Sequence, residues 1–344
     1  MLDSNNNQIH RKVAVVLCNF GGPNKIEEVE NVLFNLFNDK AIISLPQPFR
    51  WLLAKLISNR RAPKAAKLYE LMGGKSPILE NTMAQGDELQ KILHNESIDD
   101  IHFQYRVFIA MRYNHPTAEK IIPEINDYGA TDVILLPLYP QYSVTTTGSS
   151  FKDFLRHENK LDSNIKIHRI NYYHQNNNFI ESCVDLIQNG IEKIYQKYGK
   201  DAKFKLLFSA HGLPQKIINA GDLYQKHIEE SVALIVKKLK NNNPNLDYII
   251  CYQSKVGPLK WLEPSTESAI EDLAHKYKDI GIILFPIAFT SEHIETLVEL
   301  DVEYRELAEE KDIPFYERIP TVSTYYKFIE CLKEQVRRIL TESN

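Results

Sequence analysis

A histidine with the setting of a catalytic or metal-binding group stands at residue 211. The apolar run from Lys205 to Ser209 predicts a buried strand, and His211 follows it closely, ahead of Gly212 and Pro214. A turn at the end of a strand would present the imidazole to a crevice, where it can act near neutral pH as a base or a metal ligand. The alternative is a histidine packed in the turn and bonded to the backbone, and the motif alone does not decide between the two.

A second group of candidates is acidic. Four glutamates follow one another at intervals of three or four residues, which on a helix places their carboxylates on one face. Such a stripe can be an ordinary solvated surface, or it can conduct a divalent cation through oxygen ligands. The stripe follows the predicted strand Ile282–Phe285, so we expect it at the same sheet edge as His211. Its members are Glu292, Glu295, Glu299 and Glu303.

The remaining candidates are aromatic or basic. Tyrosine and tryptophan at crevice edges suit a large flat ligand, although each is more often part of a core. Arg112 follows a predicted strand and can be a cleft residue or half of a buried ion pair. Arginine and lysine clustered at 60–64 suit carboxylates, which arginine binds bidentately. The segment "GGKSP" at 73–77 lacks the spacing of a phosphate loop, which excludes a nucleotide site there.

Short apolar runs alternate with longer stretches of helical period, and these elements must position the candidates. Continuous apolar runs are typical of parallel strands buried on both faces, and their alternation with helices indicates an α/β chain. "NFGGP" at 19–23 is echoed by "SAHGLP" at 209–214, and "ILLP" at 134–137 by "ILFP" at 283–286. The runs that predict strands are Val13–Cys18, Tyr105–Met111, Val133–Leu136, Lys205–Ser209, Tyr248–Cys251 and Ile282–Phe285.

The repeat predicts two similar Rossmann-like, doubly wound domains that face a central cleft. We expect the first at 10–160 and the second at 170–315, with the linker in the polar stretch 156–178. Whether the last helix, near 320–344, packs back on the first domain is left open. Ligands of such folds bind at the carboxyl ends of the strands, which is where His211 and Arg112 fall.

Composition narrows the function classes. The 344 residues suffice for about two domains of roughly 150 residues, and the net charge of -4 argues against a nucleic-acid partner. The four cysteines include no CxxC pair and favour a reducing compartment over a disulfide framework. The polar start lacks a signal-peptide core, and no apolar run approaches the ~18 residues of a spanning helix. We therefore expect a cytoplasmic protein.

Several segments, taken together and in order, resemble the ferrochelatase family. They cover residues 13 to about 304, and the last two are the most specific. The resemblance implies a porphyrin cleft between two Rossmann-like domains. It also implies an enzyme that inserts Fe²⁺ into protoporphyrin IX to form protoheme, the terminal step of heme biosynthesis. The segments are "NFGGP", "RRAPK", "GGKSPI", "MRYNHP", "LYPQYS" with "TTTGSS", "SAHGLP", "YQSKVGP" with Trp261, and "PIAFTSEHIETLVELDVEY".

The resemblance also implies roles for individual residues. His211 resembles the histidine that takes pyrrole protons or ligates iron, and Glu295 resembles its acidic counterpart across the ring. Glu299 and Glu303, with Glu292 added from the spacing, are expected to form the acidic path for metal or protons. The expected porphyrin-binding residues, those for the propionates included, are Phe20, Arg61, Lys64, Tyr69, Ser76, Gln85, Arg112, Tyr113, Tyr139 and Trp261.

The chain departs from some members of the family in its cysteines. Those members carry a 2Fe–2S cluster on one cysteine of the "YPQYSxS" segment and three near the C-terminus. Here Val144 occupies the first position and no cysteine follows Cys331, so four thiolates cannot assemble. We expect no cluster and no tightly bound cofactor, with Fe²⁺ and protoporphyrin as substrates; the oligomeric state is not fixed by the sequence.

Three further expectations remain open at this stage. The segment 42–57, "IISLPQPFRWLLAKLI", could be a basic, apolar lip that contacts a lipid headgroup layer on the inner face of the membrane, or an ordinary helix with one buried face. A cobalt or nickel chelatase of a sirohydrochlorin-type ring is a competing enzyme, and a tetrapyrrole carrier is a competing binding protein. The sequence also favours protoporphyrin over coproporphyrin without deciding between them.

Overall fold

The computed structural model describes residues 9–94, 96–98, 101–255 and 257–342. Within them, strands and helices alternate along the chain, as the apolar runs predicted. Each of the six predicted strands is present and extends a little beyond its apolar run. The strands are β1 Ile9–Asn19, β2 Glu96–Ile98, β3 Ile101–Met111, β4 Asp132–Pro137, β5 Lys166–Arg169, β6 Phe204–His211, β7 Tyr248–Gln253, β8 Gly281–Pro286 and β9 Tyr316–Arg318.

The helices cover the faces of two sheets. Most are α-helices, but the segment with the glutamate stripe forms a π-helix, Glu295–Glu303. Two short 3₁₀ turns lie at Ile26–Glu28 and Glu158–Lys160. The α-helices are α1 Val29–Phe37, α2 Phe49–Glu70, α3 Ile78–Ile92, α4 Ala118–Tyr128, α5 Thr147–Leu155, α6 Asn177–Tyr198, α7 Gln215–Asn219, α8 Tyr224–Leu239, α9 Thr266–Lys276, α10 Tyr304–Glu310 and α11 Tyr326–Thr341.

The first sheet has the strand order β2-β3-β1-β4-β5. β1 lies at its centre and pairs in parallel with β3 and β4, so that Val15 is opposite both Val107 and Ile134. Residues 13–17 of β1 are fully buried, which explains why this strand is continuously apolar. A fully buried Val or Leu side chain contributes about 1.5–3 kcal/mol by leaving water.

The second sheet has the order β7-β6-β8-β9, and all of its pairings are parallel. The adjacency of β6 and β8 matters for the site, because it pairs Ser209 with Pro286 at one edge. His211 and the residues that follow Pro286 therefore emerge side by side. The two sheets with their flanking helices confirm the predicted α/β fold class.

The segment predicted as a linker is partly structured. β5 lies inside 156–178 and pairs in parallel with β4, where Ile167 is opposite Val133. Only Ile167 is apolar among its four residues, so this edge strand lacks the continuous apolar signal of the central strands. The chain leaves the first sheet only after Arg169. At the other end, α11 packs against α3 and β4 of the first half and against α6.

None of the helices in the described ranges combines the length and the apolar character that a membrane crossing would require.

Candidate active site

His211 and Glu295 form the centre of the candidate site. His211 is the last residue of β6, and Glu295 is the first residue of the π-helix that follows β8. The His211 Nδ1 atom lies 2.9 Å from Glu295 Oε2. We had expected the two side chains on opposite faces of a macrocycle. Atoms at hydrogen-bond distance leave no room for a ring between them, so the two groups do not lie on opposite faces of one. They emerge side by side because β6 and β8 are neighbours in the sheet.

The pair shifts the protonation equilibria of both residues. Burial lowers the pKa of His211, but the charge and hydrogen bond of Glu295 outweigh burial and raise it above the ordinary 6.5. Burial raises the pKa of Glu295, and the charge and hydrogen bond of His211 outweigh it and lower that pKa below the ordinary 4.5. A carboxylate acceptor fixes the proton of a neutral His211 on Nδ1, so Nε2 keeps its lone pair.

Glu299 lies next along the π-helix and accepts hydrogen bonds from three residues. The donors are Gln253 Nε2 at 3.0 Å, the Ser254 amide at 2.7 Å and hydroxyl at 2.5 Å, and the Tyr304 hydroxyl at 3.0 Å. The positive φ of 64° at Ser254 turns its amide and hydroxyl toward the same carboxylate. Burial and the neighbouring charge of Glu295 still raise the pKa of Glu299. Glu299 is thus a group that can hold a proton beside His211.

The structure divides the four glutamates of the predicted stripe. Glu295, Glu299 and Glu303 lie on the π-helix, with Glu303 exposed at its end. Glu292 precedes the helix, so the expectation that it belongs to the acidic path is not met. Its carboxylate is bonded to Arg318 Nη1 and to the amide of Thr321 instead.

Arg112 is part of a buried ion pair, one of the two alternatives that its spacing allowed. Its Nη2 lies 2.7 Å from Asp39 Oδ2, and its Nε donates to Ser149 Oγ at 2.7 Å. The hydroxyl of Tyr113 donates to the same Asp39 oxygen at 2.9 Å, and Tyr113 is 1% exposed. Both residues were expected at the porphyrin, but their polar groups are directed at Asp39, which sequence reasoning missed. No local signal could have found a partner 73 residues away.

Three expected porphyrin residues, Tyr69, Phe20 and Trp261, are half-buried. Burial is the main cause that raises the pKa of the Tyr69 phenol, and the negative charge of Glu295 raises it further. Phe20 meets Tyr113 edge-to-face, with ring centroids 4.7 Å apart. Trp261 bridges Pro214 three residues beyond His211. Tyr69, from the first half of the chain, is near Glu295, and the ring of Trp261, from the second half, lies against Gly212, next to His211.

The other expected porphyrin residues differ in accessibility. Arg61 and Lys64 are exposed on α2. Ser76 is 4% exposed, packs against Gly22, and its amide donates to the carbonyl of Pro23. The buried hydroxyl of Tyr139 finds no hydrogen-bond partner among the described residues. Ser76 therefore supports the turn before α3 and does not reach the cleft as expected.

Gln85 is a link between the two halves of the chain. It is fully buried on α3, and its Nε2 donates to the carbonyls of Thr290 at 2.7 Å and Ser323 at 3.1 Å. Its Oε1 accepts from Ser291 Oγ at 3.0 Å. The side chain was expected at the propionates, but these bonds occupy both amide atoms and fix the segment that leads into Glu295.

His293 is a second histidine near the pair that sequence reasoning passed over. Its Nδ1 is buried and has no hydrogen-bond partner within the described ranges. Burial lowers its pKa, while the charge of Glu295 acts in the opposite direction. A neutral imidazole beside the pair adds nitrogen lone-pair capacity to the site. The signal was its position in "SEHIE", between two of the glutamates.

Elsewhere in the described residues, three side chains that could ligate a metal ion lie close together. The ligand atoms of His174, His227 and Glu230 lie within 4.8 Å of one another. The two imidazoles stack face to face, however, with centroids 3.7 Å apart and planes 11° from parallel. Lone pairs in parallel ring planes do not converge on one ion, and His227 Nδ1 already accepts from the Tyr142 amide. The group is a packed polar cluster in this arrangement.

A sequence profile of the family described as Ferrochelatase matches residues 12–340. The chain belongs to the ferrochelatase family. Family membership confirms the resemblance and the expectation of an enzyme, a lyase of heme biosynthesis that inserts iron into a porphyrin. The pair of His211 and Glu295 therefore lies in a member of this family.

Individual relatives agree with the family match. The ferrochelatase of Rickettsia felis is 50% identical over 94% of this chain and 88% of its own length. The ferrochelatases of Wolbachia sp. subsp. Drosophila simulans and Pelagibacter ubique are each 48% identical over 94% of this chain, and the matches cover 98% and 90% of those proteins. Among solved structures, SirB from Bacillus subtilis with Fe³⁺ has a TM-score of 0.53 at 13% identity, covering 97% of each chain. The last likeness shows the fold alone.

Proposed function

We propose that this ferrochelatase inserts Fe²⁺ into protoporphyrin IX with His211 as the proton acceptor and Glu295 as its charged partner. The observation that carries the proposal is the hydrogen bond between His211 Nδ1 and Glu295 Oε2, which leaves a ring nitrogen with a lone pair. Imidazole and carboxylate are also suitable ligands for a divalent first-row ion. The two residues are thus proposed to meet the metal and the pyrrole protons in one place.

The proposed proton path runs along the π-helix. A free-base porphyrin loses two N–H protons when the metal enters, so His211 must release the first proton before it accepts the second. The raised pKa of Glu299 suits it to receive a proton from the pair. Glu303, exposed at the far end of the helix, is placed to pass the proton to water. The imidazolium that forms in each cycle is stabilised by the Glu295 carboxylate.

The metal site is proposed to bind the ion weakly. A ligand set that held Fe²⁺ tightly would compete with the four nitrogens of the ring and retain the metal. Donors of this kind discriminate poorly among divalent first-row ions. We therefore expect Zn²⁺ and Co²⁺ to be accepted as well.

A spectroscopic assay tests the proposal. Purified protein is mixed anaerobically with protoporphyrin IX and Fe²⁺, or with Zn²⁺, and the four-band free-base spectrum is followed as it collapses to two bands. We expect conversion by the unaltered chain and a loss on the order of 100-fold or more for His211→Ala. Normal turnover by His211→Ala would show that another group takes the protons.

The same assay separates the competing functions. Porphyrin binding without metal insertion above the uncatalysed rate would favour a tetrapyrrole carrier. Faster insertion of Co²⁺ into sirohydrochlorin would favour the other chelatase class. Parallel runs with coproporphyrin test the preference for protoporphyrin, for which Arg61 and Lys64, exposed on α2, are the proposed propionate contacts.

We also propose that the start of α2 touches a membrane surface. Phe49 and Leu52 are 63% and 57% exposed, and the only buried members of the helix are Ala54 and Ser58. One face of α2, with Leu53, Ala54 and Ile57, packs toward α1, and Phe49 and Leu52 remain exposed beside it. Exposed apolar side chains mixed with arginine and lysine suit an anionic headgroup layer.

Flotation with anionic liposomes tests the membrane contact. We expect the protein to float at low salt, and a double change, Phe49→Glu with Leu52→Glu, to abolish flotation. The double variant should keep its turnover of detergent-dispersed porphyrin. Recovery of the unaltered protein in the pellet at low salt would rule out the contact.

The purified enzyme is proposed to hold no 2Fe–2S cluster. Its four cysteines are buried, and burial raises the pKa of the Cys18 and Cys251 thiols to about 12. Buried neutral thiols are poor ligands. Absence of visible charge-transfer bands and of acid-labile sulfide in anaerobically purified protein is the expected result, and stoichiometric sulfide would refute it.

A further inference from the structure

The glutamates of the site are carried by an unusual element. The π-helix from Glu295 to Glu303 is nine residues long, whereas π-helical geometry is rare and mostly limited to single-turn bulges. An arrangement that is intrinsically unfavourable needs contacts outside the helix to hold it. Since Glu295 and Glu299 belong to this element, whatever fixes its winding also fixes the distance of each carboxylate from His211.

Arg318 makes such contacts at both ends of the relevant segment. It ends β9, and its side chain is 9% exposed. Its Nη1 lies 2.9 and 3.1 Å from the two oxygens of Glu292, which precedes the helix. Its Nη2 lies 2.6 Å from Asp301 Oδ2, near the end of the helix. One planar guanidinium therefore joins two carboxylates nine positions apart, with Glu295 and Glu299 between them.

The other bonds of Glu292 show that this end is fixed to the rest of the molecule. Its carboxylate accepts from the Thr321 amide at 2.9 Å, and its backbone carbonyl accepts from Asn81 Nδ2 at 3.0 Å. The chain just before the π-helix is thus tied to α3 of the first half and to the residues after β9. Arg318 connects this fixed point to the second turn of the helix.

We propose that Arg318 is a positioning residue for metal insertion, which holds Glu295 and Glu299 at their working distances from His211 through its pairs with Glu292 and Asp301. The proposal rests on the proposed roles of those glutamates. It also gives Glu292 a function that differs from the metal path expected from its spacing. The guanidinium of Arg318 is engaged by Glu292 and Asp301 and takes no part in the proposed chemistry.

Loss of the guanidinium should displace Glu295 and Glu299 and so lower kcat, with little effect on porphyrin binding. Without the guanidinium, the Glu292 carboxylate keeps the Thr321 amide, and Asp301 keeps a longer pair with Arg305 at 3.6 Å. The two carboxylates are then no longer held to one cation on β9, and the segment between them is free to shift. A displacement of about 1 Å from a change outside the reacting groups can reduce turnover on the order of 100-fold. The hydrogen bonds and ion pairs of Arg318 within the described residues involve none of Phe20, Tyr69 and Trp261, so the porphyrin should still bind.

The first test compares Arg318→Gln and Arg318→Lys with Arg11→Gln. Arg11 forms a similarly buried pair with Asp132 at 2.5 Å in the first sheet, away from the cleft, and is the matched control. With protoporphyrin IX and Zn²⁺, we expect kcat of Arg318→Gln to fall at least about tenfold. KM for the porphyrin should stay within about twofold of the unaltered protein. Arg318→Lys, which can keep one pair, should recover part of kcat, and Arg11→Gln should lower only the Tm.

A double-mutant cycle covers the case in which Arg318→Gln does not fold. Glu292→Gln and Arg318→Lys act on the same contact, so their losses in kcat should be less than additive. Fully additive losses, or kcat of Arg318→Gln within about twofold of the unaltered protein, would overturn the proposal. A rise in KM for Zn²⁺ confined to Glu292→Gln would also overturn it, in favour of a direct metal contact. Failure of the proposed function itself would appear separately, as normal turnover by His211→Ala.

Discussion

The Nδ1 atom of His211 lies 2.9 Å from Oε2 of Glu295, although the two residues are 84 positions apart. The contact exists because β6 and β8 are neighbours in a parallel sheet and both release their chains at the same edge. It joins a group that can accept a proton to a carboxylate that stabilises the resulting cation. The functional behaviour of each residue therefore depends on the other.

Replacing Glu295 by glutamine should impair His211 without removing it. The amide has no charge to stabilise an imidazolium, and it can pair with either tautomer of the ring, so the lone pair is no longer fixed on Nε2. We expect kcat for Zn²⁺ insertion to fall on the order of 100-fold, with little change in porphyrin affinity measured by fluorescence quenching. Glu306→Gln, at an exposed position of α10, should be indistinguishable from the unaltered protein. A Glu295→Gln enzyme with normal kcat would contradict the pairing.

Activity and the contribution of His211 to folding stability should change in opposite directions with pH. His211 must be neutral to accept a proton, and its pKa is raised above 6.5, so kcat/KM should fall as the pH drops through that raised value. Stability from a raised pKa is fully present below about pH 6.5 and is lost as the pH rises through the folded-state pKa. Glu295, with its lowered pKa, contributes above about pH 4.5 and loses its contribution on acidification.

Rate profiles and denaturation midpoints between pH 5 and 9 measure both effects. Glu295→Gln should shift the acid limb of kcat/KM to lower pH, because the carboxylate no longer favours the imidazolium. An acid limb that stays in place in this variant would mean that His211 does not set it.

The strand ends were predictable because buried parallel strands have a strong local signal. The run before His211 predicted β6, and the run before Pro286 predicted β8, so both site segments were expected at strand ends. What the sequence could not supply was the lateral order of the strands. Because β6 and β8 are adjacent, His211 and Glu295, which were expected on opposite faces of a ring, are in direct contact instead.

Contacts between distant positions explain the remaining differences. Intervals of three and four residues predict a stripe on an ordinary helix, but the segment forms a π-helix that is bonded to Tyr316 and Arg318, which lie beyond the motif. Glu292 shares the spacing of the stripe, yet precedes the helix and pairs with that arginine. Asp39 carries no local pattern at all and becomes important only because folding brings it to Arg112.

Gln85 should matter for stability rather than for porphyrin binding. Gln85→Leu removes the donor to the carbonyls of Thr290 and Ser323 and the acceptor of the Ser291 hydroxyl, and within the described residues the Thr290 carbonyl then keeps only the Ser323 amide. We expect a cost of about 1–3 kcal/mol in the free energy of unfolding. Urea denaturation measures this loss, and porphyrin titration of the folded variant should give an unchanged affinity. Gln90→Leu, on the same helix but bonded only within the first sheet to Tyr105 and Val107, is the control. An affinity loss confined to Gln85→Leu would restore its expected place at the propionates.

Asp39 should be required for the fold around Arg112. In Asp39→Asn, the guanidinium and the hydroxyls of Tyr113 and Ser149 lose the carboxylate that they share. Removing one partner of a buried ion pair typically costs about 3–5 kcal/mol, because the other charge stays buried. We expect the free energy of unfolding, measured by urea denaturation, to fall by that amount. The loss should be much smaller for Asp153→Asn, whose carboxylate lies 3.4 Å from Arg112 Nη1 and is less buried. If Asp39→Asn instead keeps its stability and raises KM for the porphyrin, Arg112 serves the cleft rather than the core.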